Sequence, residues 1–118
     1  MKTLKFRKEA HDLLESIRLE MKQYGLLVMN KRPHNAQTLS DLNLTSSDQR
    51  QIIESLTPED YCGGPDQDEK YPWKIVAVFG KQHGSTELYI KLSVGYDQTA
   101  VVCLSFHVAE RKMLYQFK

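Results

Sequence analysis

Between Leu4 and Tyr24 the apolar residues Phe6, Ala10, Leu13, Leu14, Ile17, Met21 and Tyr24 recur at spacings of three and four. That spacing gathers them on one face of a helix. Glu9, Asp12, Glu15, Arg18, Glu20 and Lys22 occupy the other faces, and Gly25 supplies a stop. A helix over residues 4–24 that covers a sheet is predicted. A helix lying on a membrane surface would carry more cations on its polar face.

The next stretch is less regular. Leu26–Asn30 is a short apolar run that could form an edge strand, Lys31–Asn35 reads as a polar loop, and Ala36–Leu42 reads as a brief helical turn. Ser46 or Ser47 is placed to cap a second helix reaching Leu56, with Ile52, Ile53 and Leu56 inward. Thr57-Pro58-Glu59-Asp60 combines a capping hydroxyl, a first-turn proline and acids near the positive dipole end, the signature of one short turn. Cys62–Pro72 is rich in Gly, Pro and Asp and reads as a loop.

From Trp73 the composition becomes β-branched and apolar. Strands are predicted over Trp73–Gly80, Thr86–Val94 and Ala100–His107, joined by Lys81–Ser85 and by Gly95–Thr99. Short connections imply an antiparallel meander. The tail from Ala109 to Lys118 could add a short strand over Leu114–Phe117. Helices first and sheet last predict an α+β fold, with N-terminal helices packed on a C-terminal antiparallel β-meander. A chain of 118 residues is expected to form a single domain, helical over about 4–60 and sheet over about 73–118.

Bulk composition narrows the function classes. The chain is 41% hydrophobic and 26% charged, which is ordinary for a globular domain. It lacks the long apolar run of a membrane span and the apolar core of a secretory leader, so a cytoplasmic home is expected and no membrane partner. Cys62 and Cys103 are expected as free thiols, and neither has the spacing of a zinc site. A net charge of +1 argues against a domain that coats nucleic acid, but leaves room for a local basic patch.

Candidate chemistry lies on the strands. Alternation puts Leu88, Ile90, Leu92 and Val94 on one face of the second strand and Glu87, Tyr89, Lys91 and Ser93 on the other. The third strand is expected to turn Val102, Leu104 and Phe106 inward and Val101, Cys103, Ser105 and His107 outward. Tyr89, Lys91, Ser105 and His107 then share a polar face. An imidazole exchanges a proton near neutral pH, so His107 is the most informative of the four. Gly63-Gly64-Pro65 lacks the context of a phosphate loop, Asp66, Asp68 and Glu69 lack calcium-loop spacing, and His11, His34 and His83 have no metal-ligand spacing and are assigned no role.

Tyr89-Ile90-Lys91-Leu92 followed by Leu104-Ser105-Phe106-His107 resembles the motility quorum-sensing regulator (MqsR) toxins. Leu56–Tyr61, His107-Val108-Ala109-Glu110 and Tyr115–Lys118 extend the resemblance over about residues 50–118. It implies a RelE-like fold, a sequence-selective mRNA endonuclease (an mRNA interferase) that works without metal or other cofactor, and a partner antitoxin encoded nearby, commonly with a zinc-binding domain. Tyr89 matches the family's catalytic tyrosine, and His107 falls where better-known members carry a lysine. Two family positions depart: a lysine falls near Gly63, and a glutamine near Val76 or Ala77.

On this reading His107 transfers a proton with Glu110 as orienting partner or second base. Lys91 and Lys81 hold the phosphate, Tyr89 positions the nucleotide or donates a proton, and Arg111 and Lys118 bind flanking RNA phosphates. The competing expectation is a non-catalytic protein-binding module that uses the same polar sheet face.

Overall fold

The computed structural model describes residues 1–95 and 98–118. Its elements run α1 (Arg7–Tyr24), β1 (Leu26–Val28), α2 (Pro33–Asp41), α3 (Ser46–Glu54), a 3₁₀ turn (Pro58–Asp60), β2 (Tyr61–Gln67), β3 (Lys74–His83), β4 (Thr86–Gly95) and β5 (Val101–Val108). The fold is α+β, with the sheet order β1-β5-β4-β3-β2. The antiparallel meander spans β2 to β5, while β1 joins β5 in parallel, making the sheet mixed. The expected connection through Tyr96 and Asp97 lies outside the described residues.

The periodic stripe of α1 does what its spacing requires. Ala10, Leu14, Ile17 and Met21 are buried against Phe79, Leu88, Ile90 and Leu92 of the sheet. The helix starts at Arg7 rather than Leu4, because the Glu9 carboxylate accepts the Phe6 N–H and caps the first turn there. Phe6 is consequently exposed. In α3 the cap is Thr45, one residue ahead of the expected serines. Its hydroxyl accepts from the Asp48 N–H, and the Asp48 carboxylate accepts from the Thr45 N–H. Ser55 and Leu56 lie beyond the helix, although Leu56 is fully buried.

Three further expectations are corrected. Pro33 opens α2 instead of sitting in a loop, because a proline in the first turn forfeits no helical bond. The segment from Cys62 forms most of β2 rather than a loop. Bulges interrupt its pairing with β3, and at Gly64 (φ +92°) an added Cβ would sit 2.5 Å from the Val76 carbonyl oxygen. The segment 114–117 makes no strand.

The strand alternation holds in β4 and breaks in β5. Lys91 pairs with Ser105 and Leu92 with Cys103, so Leu104 is an extra residue. The bulge reverses the phase upstream of it. Val101 and Cys103 are buried with Phe106, while Val102 and Leu104 turn to the opposite face. Below the bulge Tyr89 pairs with His107, and the expected shared polar face forms. No helix of the described residues is long and apolar enough to cross a membrane.

Candidate active site on the open sheet face

The bulge also builds the site. It presents the Leu104 carbonyl to α2, where it accepts from Asn35 Nδ2 at 3.2 Å and from Arg32 Nη1 at 3.0 Å. Asn35 Oδ1 accepts the Phe106 N–H at 3.0 Å, and the Thr38 hydroxyl accepts the Val108 N–H at 3.1 Å. Two side chains of α2 thus satisfy the outer edge of β5 where β1 has ended. Asn35 is only 2% exposed, so these bonds are sheltered from water.

Docking Asn35 brings its neighbour His34 over the sheet. The imidazoles of His34 and His107 stack with centroids 4.5 Å apart and planes 21° from parallel. The Tyr89 ring stacks on His107 at 5.1 Å and 12°. β5 lies between β4 and α2, so His107 sits between the two other rings. Both imidazoles are oriented. His107 Nδ1 lies 3.0 Å from the Val108 carbonyl oxygen, which can only accept, so Nδ1 carries the proton and Nε2 is left to act. His34 Nδ1 lies 3.3 Å from Glu110 Oε1, an exposed pair that contributes little to stability but fixes the ring. Burial pushes the Tyr89 phenol up from its ordinary value, with the Cys62 thiol adding to it, so Tyr89 stays protonated at neutral pH.

Lys91 stands two residues from Tyr89 on the same face, opposite Ser105, and has no ion-pair partner among the described residues. Lys81 does not join this group. It pairs with Leu88, a core residue, and its ammonium lies 3.3 Å from Asp60 Oδ2 on the helix side of the sheet. Glu110 reaches the site through His34, with His107 one ring further on. Arg111 is exposed on the tail, and the Lys118 ammonium lies 4.5 Å from the Tyr115 ring centre. The two departures from the resembled family carry no replacement chemistry. Gly63 is covered by the Met1 side chain, and Val76 and Ala77 are buried.

The tail bounds the site on the other side. The Glu87 carboxylate accepts from the Met113 N–H and from the Tyr115 hydroxyl, at 3.1 and 2.7 Å. Tyr115 lies against Gly80, the β3 partner of Tyr89. An added Cβ there would sit 2.6 Å from its hydroxyl oxygen, so only glycine admits the ring. Burial, and then the bond to Glu87, push the Tyr115 phenol up.

Sequence reading missed His34. A proline at the first helical position signals the start of α2, but nothing local says that its first turn docks on the Leu104 bulge. No protein-family model, curated protein or solved structure matches this chain.

Proposed function

We propose that this chain is a toxin that cleaves single-stranded mRNA by attack of the 2′-hydroxyl on the adjacent phosphate. The observation that carries the reading is the Tyr89–His107–His34 stack, with both imidazoles tethered through Nδ1. His107 Nε2 takes the 2′-hydroxyl proton as the oxygen attacks phosphorus. His34, oriented by Glu110, gives a proton to the departing 5′-oxygen. The P–O5′ bond breaks as the new P–O2′ bond forms, leaving a 2′,3′-cyclic phosphate and a 5′-hydroxyl. Lys91 neutralises the phosphate and Tyr89 positions the nucleotide.

Glu110 acts on His34 in this scheme, and Lys81 has a structural role with Asp60. The chain works in the cytoplasm under the control of an antitoxin encoded beside it, as its likeness to the MqsR toxins suggests. Incubation of purified protein with end-labelled RNA in EDTA tests the reading. Fragments ending in cyclic phosphate are expected from the wild type and not from His107→Ala. RNA that stays intact with the wild type, or equal cutting by His107→Ala, would overturn it. Growth arrest on induction, relieved by coexpressing the neighbouring gene, is the expected cellular counterpart. Harmless high-level expression would favour a protein-binding module.

A further inference from the structure

Beside the ring stack the same face opens into a groove of about 790 Å³. It begins at Lys91 and Ser105, which are one same-face position along from Tyr89 and His107, a step of about 7 Å on a strand. Its floor is apolar, from Val76, Val102 and Leu104. Ser93 also lines it. That residue is 3% exposed, and its hydroxyl has no hydrogen-bond partner among the described residues. Buried polar groups are nearly always paired, so an unpaired hydroxyl in a groove wall marks the place of a missing partner.

The two walls differ. On the β5 side stand Arg32 and Lys91, cations without a carboxylate between them. On the β2–β3 side stands Tyr71, with Lys70 and Lys74 ammonium groups 5.4 and 5.9 Å from its ring centre and Trp73 packed edge-on at 5.4 Å. Tyr71 is 40% exposed and Trp73 52%. Asp68 holds this tip in shape by accepting the Lys70 and Tyr71 N–H groups, and Asp66 accepts the Lys2 N–H. With Glu69, these acids offset the two lysines, so this wall has no surplus of cations and offers an aromatic surface. A ligand with an anionic backbone on one side and a flat π-face on the other fits both walls.

We propose that the groove seats the nucleotide adjoining the scissile phosphate in single-stranded RNA. Its base stacks on Tyr71 and meets the Ser93 and Ser105 hydroxyls at its edge, and its phosphate lies on Arg32 and Lys91. This assignment rests on the RNA-cleavage reading of the neighbouring rings. Tyr71 forms the stacking platform, with Trp73 packed edge-on against it, and stacking is sequence-tolerant because every base has a π-face. The serine hydroxyls give the subsite its base preference.

Binding of a short fluorescent single-stranded RNA to the cleavage-dead His107→Ala protein, read by anisotropy, tests the assignment. Trp73, the single tryptophan, reports occupancy by fluorescence quenching. Tyr71→Ala in that background is expected to weaken binding about ten-fold, within the range for loss of one stacked base. Ser93→Ala, which needs no refolding of the wall, is expected to change the ranking of U-, C-, A- and G-containing oligonucleotides. Unchanged affinity in Tyr71→Ala together with unchanged ranking in Ser93→Ala, while the wild type cuts RNA, overturns the groove assignment and leaves the ribonuclease reading intact. Binding that follows these variants without cleavage by the wild type supports the groove and removes the ribonuclease. Neither binding nor cleavage overturns both.

Discussion

The ring of His34 is carried to His107 by its neighbour Asn35, which grips the Leu104 carbonyl and the Phe106 N–H on either side of a β-bulge. The bulge therefore has two consequences: it turns Val102 and Leu104 into the groove floor, and it anchors the helix that supplies the second imidazole.

If the two imidazoles divide the proton transfers, neither is dispensable. His107→Ala and His34→Ala should each lower RNA cleavage by roughly 10²–10⁴-fold. Tyr89→Phe, which keeps the stacked ring and removes the phenol oxygen, should lose less if Tyr89 only positions the nucleotide. Single-turnover assays on labelled RNA give the rates, and unchanged circular dichroism spectra would show that the fold is kept.

Asn35 carries structure and site together. Asn35→Ala leaves the Phe106 N–H without its acceptor and removes the bonds to the Leu104 and Met29 carbonyls, the first of which keeps Arg32, at a cost of about 1–3 kcal/mol for the buried N–H. Urea titration should show the midpoint falling. Cleavage, measured well below that midpoint, should also fall, because α2 no longer holds His34 in place.

The tail contact has a pH signature. The Tyr115 phenol is pushed up by burial and by its bond to Glu87, so the folded chain keeps the proton longer than the unfolded chain does. Its contribution is complete below the unfolded value of about pH 10 and is lost as pH rises beyond it. Thermal melts of wild type and Tyr115→Phe from pH 8 to 11 should therefore converge at the alkaline end.

The thiols should be slow to react. Burial pushes Cys103 up to about 12 and Cys62 up to about 11, so little thiolate is present at pH 7.5. Alkylation with iodoacetamide, followed by mass spectrometry, should label both residues in urea and spare Cys103 in the native protein. Rapid native labelling of Cys103 would mean that β5 opens.

Much of this architecture was legible in the chain. The stripe of α1 and the alternation of β4 report periodic burial, which sequence records directly, and β4 led to Tyr89 and Lys91, as the end of β5 led to His107. What escaped is non-periodic. The Gly63-Gly64-Pro65 run has the composition of a loop, yet Gly64 lets β2 press against β3 where a Cβ would collide, and Gly63 leaves room for the Met1 side chain. The bulge at Leu104 is set by pairing and edge contacts rather than by residue type. The resemblance makes Lys81 a phosphate-holding cation, and strand parity sends it to Asp60 instead. His34 owes its place to a contact between distant segments.

The outer border of β2 has its own consequence. The Lys2 carbonyl accepts the Gly64 N–H, the Gln116 N–H donates to the Tyr61 carbonyl, and Pro65 has no N–H to offer. At the opposite border β1 is three residues long, and the rest of β5 is occupied by Asn35 and Thr38. Sheets with bare borders recruit further strands and grow into fibrils. Here segments 1–4 and 115–117 are the barrier on the β2 side, and trimming one would leave the Gly64 N–H or the Tyr61 carbonyl open to a strand from another molecule.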